Sequence, residues 1–460
     1  MRFFLIVFLL APAIAAAQPR ASQLPPPFLG GIPSGTLGPE PLQLTILDAI
    51  NRGLEHNLGL ILANDNVNHA ASERTNALAA LLPDISGRVS ETRQIVNLAA
   101  FGFPLPAGIP SLVGPFNVFD ARVRVSQSIF NLSDIKGHRA EEHNVAAAQL
   151  SVRSARDLVV LVTANSYLQA LAAAARASSA QAQMDSADAI FRQATNMKES
   201  GLVAGIDVLR ADVQLATERQ RVTAARNESE KSKLQLARLI GLPLGQPFAL
   251  VEDLPFVPVP DMTLDAALDQ AYKTRPDYLA ALEKVAAAEL ERSSISNERL
   301  PSFQLNADYG ALGLTPRDSA ATYAVIGAVN VPIFNGGRTN ARLADADATL
   351  RTRKAEADDL KASIYYDVRT AFLDLQATRE QLEVASRSRD LAAQTLVQAR
   401  DRFAAGVASN IEVVQAQEAV AESSEQYIGA LYGFNVSKAL LARGLGVAEA
   451  ATRQYLGGVR

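Results

Sequence analysis

The sequence predicts an α plus membrane β-barrel protein: very long helices joined to strands of membrane-spanning length, laid out as an internal tandem repeat. Three observations predict it. First, Tyr323 to Val331 is rich in Val, Ile and Tyr and leads through Pro332-Ile333-Phe334-Asn335-Gly336-Gly337 into Arg338 to Ala405, which contains no Gly and no Pro. Helix-favouring residues dominate that run. About 65 residues at 1.5 Å rise reach roughly 100 Å, far beyond an ordinary globular helix. Second, the pattern occurs twice. Ser128-Ile129-Phe130-Asn131 also ends a strand, and His138 to Ser200 is again free of both breakers. Third, four stretches of about ten residues have the length of tilted transmembrane strands.

In chain order, Met1 to Ala17 reads as a secretory signal, with Arg2, an apolar run Phe3 to Leu10, and Ala15-Ala16-Ala17 as a small-residue cleavage site before Gln18. The run is too short to span a bilayer as an anchor. Residues 18–43 are rich in Pro and Gly and read as a tail, ordered only where it packs on something. The first repeat covers 44–241. Its leading segment, Leu44 to Leu82, is helical with a weak point at Gly59. Its gapless copy in the second repeat (263–446) is Thr263 to Leu300, broken at Arg275-Pro276. Thr45 matches Thr263, Ala49 matches Ala267, and Leu82-Pro83 matches Leu300-Pro301. Proline disfavours helix at the residue before it, so both segments turn into strands there.

The expected strands are 85–96, 119–130, 303–313 and 323–334. Phe303, Leu305, Ala307 and Tyr309 alternate with Gln304, Asn306 and Asp308, and Val123 and Val125 alternate with Arg122, Arg124 and Ser126. Period two with one apolar face is the strand signature. Alternation alone suits a small soluble sandwich equally well. The connection 97–118 is long, apolar and proline-rich, which suits a surface-exposed loop of an outer-membrane barrel. The equivalent loop, Gly313 to Thr322, is shorter, the main departure from internal symmetry. Strand-to-helix junctions fall at Pro83, Asn131, Pro301, Pro332, Phe334, Gly336 and Gly337.

The long helices end at Gly201-Leu202-Val203 and Gly406-Val407-Ala408-Ser409. Return helices then run from Asp207 to Ile240 and from Glu412 to Arg443. Each covers about half a long helix, and a leading segment covers the other half. A return and a leading helix stacked end to end therefore match one long helix. The Pro- and Gly-rich linker 242–262 and the tail from 447 to 460 belong at mid-height, where those helices meet.

Composition narrows the function. A net charge of −4 lacks the basic footprint of a nucleic-acid binder. The chain has no Cys, which removes disulfides, thiolate chemistry and the acylated cysteine of a lipoprotein anchor. His138 and His143 stand five apart, one too many for a zinc-protease pattern, on different helix faces. No cofactor, metal or catalytic residue is expected, and the chain reads as no enzyme. Four strands cannot close an outer-membrane barrel, which starts near eight. Eight strands from two chains enclose only side chains, and twelve from three leave a lumen. Open edges cannot face lipid, so a conducting form needs three chains.

These residues resemble the TolC family of outer-membrane efflux proteins, from about Leu44 to Gly446. The carriers are the helix starts at Thr45 and Thr263, Leu-Pro at 82–83 and 300–301, Pro332 to Arg338, and the two glycine turns followed by Asp207-Val208-Leu209 and Glu412-Val413-Val414. The resemblance implies a homotrimeric twelve-stranded barrel in outer-membrane lipid, continued by a long periplasmic α-helical barrel. It implies export with two partners, a periplasmic adaptor (membrane fusion) protein and an inner-membrane pump of the resistance or ABC type. It also implies a periplasmic gate or selectivity ring, carried by position onto Asp207, Phe403, Glu412 and Gln415. Adaptor contacts fall on Gly201, Leu202, Val203, Gly406, Val407 and Ser409. Two positions depart from the family pattern: Ala408 stands where a gating arginine is found, and Gln415 where a second acidic ring residue is found. Arg402 or Lys198 are the cations left to pair with Asp207. A periplasmic coiled-coil scaffold without a pore is the alternative from another class.

Overall fold

The computed structural model describes residues 26–102, 110–257 and 262–451. The signal segment, the apex of the loop 97–118 and the last residues of the tail lie outside these. Two successions of the same element types follow one another. The first is α1 (Ile46–His56), α2 (Leu58–Ala79), β2 (Asp84–Asn97), β3 (Leu112–Phe130), α3 (Leu132–Glu199) and α4 (Gly205–Leu239), preceded by a short β1 (Leu42–Leu44). After β4 (Phe248–Leu250) come α5 (Leu264–Thr274), α6 (Pro276–Asn297), β5 (Ser302–Gly313), β6 (Ser319–Asn330), α7 (Arg338–Ala404) and α8 (Asn410–Gly444).

Local chemistry explains most of the boundaries. Thr45 closes a capping box with Asp48, and the Thr263 hydroxyl accepts the Ala266 N–H. Arg275 caps α6 with Pro276 at its first position, where the missing N–H costs nothing. The first-repeat break is not at Gly59 but at Asn57, whose side-chain oxygen accepts the Gly59 N–H at 2.9 Å and whose amide donates to the Phe28 carbonyl at 2.9 Å. Gly59 is small for a different reason: a Cβ there would stand 2.4 Å from the Phe28 ring. Helix α3 starts at Leu132, six residues earlier than His138, because the Asn131 side chain caps the Ser133 N–H at 3.0 Å and Gly137 packs close to Ser294 without breaking the helix.

α3 packs along α4, α2, α1 and α6, and α7 along α8, α6 and α5. A stretch of α3 is long and apolar enough to cross a membrane, but 72% of it is buried in the protein. It belongs to the main core, where Val160, Ala164, Tyr167, Leu168 and Leu171 meet Ile46, Ala49 and Ile50 of α1 and Leu236 and Ile240 at the end of α4. A second core repeats this geometry with Ile364, Val368 and Ala371 of α7, Ala267 and Ala271 of α5, and Leu441 and Leu445. Each core sits where a return helix ends and a leading helix begins. The segment around β1 is ordered there, pairing parallel with β4 in the linker, and the Lys438 ammonium holds the linker by donating to the Val257 carbonyl at 3.1 Å.

The remaining strands form one antiparallel sheet in the order β2-β3-β5-β6. Two strands differ from expectation. β3 begins at Leu112 instead of 119, so that part of the expected loop is strand. Gly114-Pro115 hid it, and a register shift between Gln94 and Val96 on β2 accommodates the residue that cannot donate. β6 spans Ser319–Asn330 instead of 323–334. Its partner β5 begins at Ser302, paired with Asn330 after Pro301, so Val331 to Phe334 have nothing left to pair with. The connecting turn shrinks to 314–318 as a result.

Candidate functional site

Two places concentrate features that packing alone does not require: the helical tips and the sheet. At the tips both long helices end in the same hydrogen-bonded turn. Gly201 (φ +72°) and Gly406 (φ +73°) adopt the left-handed conformation. Leu202 N–H donates to the Met197 carbonyl at 2.8 Å, and Val407 N–H to the Arg402 carbonyl at 3.0 Å. These are Schellman ends, in which glycine avoids a Cβ penalty. Leu202 and Val407 are left exposed, Val203 is half-buried in the tip core, and Ser409 caps α8 through its backbone only.

The expected ring residues are placed unevenly. Asp207 and Glu412 lie in the first turns of α4 and α8, where the helix dipole favours carboxylates. Neither Arg402 nor Lys198 pairs with Asp207. Asp207 faces Arg210 at 3.5 Å, and Arg402 instead faces Glu412 at 3.6 Å. Phe403 is 2% exposed and packs with Ile190, Ala194, Leu396 and Val413, so its ring fills the hairpin interior and is not presented to an aperture. Gln415 is exposed beside an apolar groove between α4 and α8 lined by Ile206, Leu209, Val213 and Ile411. Asn410, which the sequence did not single out, is fully buried, and its amide donates to the Asp207 carbonyl at 2.9 Å, tying the two tips together.

Above the tips a polar cluster joins the two helix pairs. Gln214 on α4 donates to Glu218 at 2.9 Å and to Glu418 of α8 at 2.8 Å. Arg221 bridges the same two carboxylates at 2.8 and 2.9 Å. The cluster borders a cavity of about 1040 Å³ between α3, α4 and α8. Burial pushes the Glu218 carboxyl above the usual range; Arg221 pulls against this and the Glu418 charge adds to it. Glu418 is held low, because the Arg221 and Gln214 donors outweigh its burial. A raised carboxyl costs stability when ionised, and that cost is relieved as pH falls through its folded value. Glu218→Gln should therefore raise the thermal midpoint at neutral pH and leave it unchanged near pH 4, measured by circular dichroism in detergent. The spacing of Gln214, Glu218 and Arg221 is legible on α4; their partner on α8 is not.

At the other end, the sheet has one polar face and an opposite face that is apolar over most of its height, with Glu91 and Arg93 on it only toward the β2–β3 connection. Ser86, Arg88, Asp120, Arg122, Arg124, Ser126, Asn306 and Asp308 share the polar face, and Ile85, Val89, Val123, Val125, Tyr309 and Val325 the other. Among the described residues, its edge strands, β2 and β6, each lack a partner on one side. The junction residues bound it. Pro83 and Pro301 precede β2 and β5, and Asn131 caps α3. Pro332 follows β6, and Gly336 and Gly337, both at positive φ, turn the chain into α7. Ile333 and Phe334 at this rim are 95% and 89% exposed.

Solved structures share this architecture. The CmeC outer membrane channel of Campylobacter jejuni superposes with a TM-score of 0.76 at 18% identity, over 88% of this chain and 86% of that one. VceC of Vibrio cholerae gives 0.74 at 19% identity, over 87% and 96%. The chain therefore has the fold of these outer-membrane channels. In sequence, outer membrane protein TolC of Escherichia coli is 23% identical over 346 residues, 72% of this chain and 70% of TolC. The pyoverdine export outer membrane protein OpmQ of Pseudomonas putida is 22% identical over 84% of this chain and 81% of OpmQ. The family model described as outer membrane efflux protein matches residues 49–242 and 267–447, and the chain belongs to that family. It is an outer-membrane export duct of the kind used in efflux and type I secretion, and the poreless scaffold is set aside.

Proposed function

We propose that three copies close a twelve-stranded barrel through β6-to-β2 pairing, and that the tandem helices of the three continue it as one periplasmic tunnel. The observation that carries this is the four-stranded sheet with two open edges. Unpaired edge groups in lipid cost several kcal/mol each, and twelve strands are the smallest symmetric set that leaves a lumen. Apolar residues left exposed on single helices, Leu373, Val384 and Leu391 on α7 and Leu209, Val213 and Leu234 on α4, supply surface for a neighbouring copy to cover.

The tips meet a periplasmic adaptor through Gly201, Leu202, Val203, Gly406, Val407 and Ser409, and an inner-membrane pump supplies the energy. Similar proteins include a pyoverdine export outer membrane protein and the alkaline protease secretion protein AprF of Pseudomonas aeruginosa, so either a resistance-type or an ABC-type pump fits. Asp207, Glu412 and Gln415 line the periplasmic aperture. Three-fold symmetry turns each Glu412 into a ring of charge, a standard selectivity device, and each Arg402 partly cancels it.

Two measurements test this. Detergent extraction of the outer membrane should yield a trimer. In planar bilayers it should show a small, cation-preferring conductance. Glu412→Gln should lower the cation preference and Arg402→Gln should raise it, because the two groups oppose each other at 3.6 Å. Unchanged selectivity in both variants removes the ring, and a stable monomer in detergent removes the twelve-stranded barrel.

A further inference from the structure

We infer that the barrel lumen carries an anion-binding girdle built from Arg88 and Arg124, a site for carboxylate- or phosphate-bearing solutes. The inference rests on the closed-barrel reading, which turns the polar face of the sheet inward. Strand register puts Arg88 directly opposite Arg122, with Arg124 two residues further along β3 on the same face. Across the next pairing, Gly310 faces Arg122 and Asp308 faces Arg124. Like charges directly opposite one another destabilise a strand pair, so three guanidiniums this close need compensation.

The compensation goes to one of them. Arg122 donates from Nε to Asp120 at 2.6 Å and from Nη1 to Asp308 at 2.9 Å, engaging both carboxylates of the cluster. Gly310 makes room for this: a Cβ at that position would lie 2.3 Å from the Arg122 Cβ. Arg88 and Arg124 are exposed and, among the described residues, make no hydrogen bond and no ion pair. The other groups beside them on this face, Ser86, Ser90 and Ser126, are uncharged. The remaining carboxylate of the face, Asp84, is four residues from Arg88, roughly 13 Å along the strand, and is a diagonal neighbour of Arg124 at about 7–8 Å without pairing with it.

These arginines cannot point to lipid. A guanidinium on the lipid face of a barrel is destabilising by about 2–4 kcal/mol at the midplane, and the opposite face already carries the apolar residues. Facing inward, two unpaired guanidiniums per chain recur three times around the lumen. Planar forks with unused donors match carboxylate and phosphate oxygens bidentately. The girdle therefore favours solutes with anionic groups at the barrel level, in contrast to the acidic residues at the tips.

The test is equilibrium binding of two probes, inorganic phosphate and citrate, to the detergent-purified oligomer, alongside bilayer recordings with each probe added on the barrel side. The wild type should bind at least one probe, and millimolar probe should reduce its conductance. Arg88→Gln/Arg124→Gln should weaken binding by about tenfold or more, the loss expected for one charge-assisted hydrogen bond, and should relieve the block. Arg219→Gln, an exposed charge on α4, should change neither. Binding of phosphate alone identifies mobile inorganic anions as occupants, and binding of citrate points to carboxylate-bearing solutes. Equal binding in the wild type and the double variant, no binding in the wild type, or an equal loss in Arg219→Gln overturns the inference. Specific binding that is lost in the double variant, without any conductance, keeps the girdle and the closed barrel and counts against the cation-conducting aperture at the tips instead.

Discussion

Arg275→Ala is expected to destabilise the helical body by about 3 kcal/mol, the lower end of what removing one partner of a buried ion pair costs. The guanidinium is nearly buried where α5 meets α6. It donates to Asp277 at 3.0 and 2.7 Å and crosses to Asp367 of α7 at 2.8 Å. Burial alone would raise the Asp277 carboxyl, but the Arg275 hydrogen bonds and charge outweigh it and hold the group low. A depressed carboxylate contributes stability above its ordinary range near 3.8, and that contribution is lost as pH falls through its folded value. The gap between wild type and Arg275→Ala should therefore be widest at neutral pH and narrow below about pH 4. Arg275→Lys should fall between the two, since an ammonium keeps the charge and loses the fork. Denaturant unfolding followed by circular dichroism across pH reads all three. A gap independent of pH would mean that Arg275 acts by packing alone.

Tyr167→Ala is expected to cost about 3–5 kcal/mol, the range for deleting a large buried aromatic side chain. The ring is fully buried in the main core, and its hydroxyl donates to the Leu44 carbonyl at 2.9 Å. Burial, with the Glu252 charge behind it, pushes the phenol far up, so it stays neutral throughout the working range. Tyr167→Phe should cost only about 0.5–1.5 kcal/mol, because the Leu44 carbonyl keeps the Val251 N–H as a donor at 3.3 Å. The loss should be local as well as global. Amide exchange in β1 and β4 should quicken before that in the tips, whose core of Ile190, Leu396 and Phe403 is separate. Uniform acceleration along α3 and α4 would show the long helices unfolding as one unit.

Features set by nearest neighbours were legible without coordinates. Runs free of Gly and Pro gave α3 and α7 their length, because nothing within them interrupts the hydrogen-bond ladder. Gly201 and Gly406 marked the tips, since a left-handed helix end needs a residue without Cβ. Pro276 marked the α5–α6 break. The errors came where a distant segment decided. Asn57, not Gly59, breaks the first leading helix because Phe28, 29 residues earlier, supplies both an acceptor for its amide and a ring that leaves no room for a Cβ at Gly59. β6 stops at Asn330 because β5 begins at Ser302, although Val331 to Phe334 have good strand propensity.

The sequence by itself determined the order and type of the elements and the great length of α3 and α7, and through these the family resemblance. All of these follow from periodicity and from breaker residues acting within a few positions. Only the tertiary structure decided which charges find partners. Arg402 meets Glu412 rather than Asp207, Phe403 turns into the core, and Arg122 takes Asp120 and Asp308 while Arg88 and Arg124, among the described residues, keep no partner. Ion pairs and burial depend on side chains that meet across tens to hundreds of residues, and no local rule carries that information.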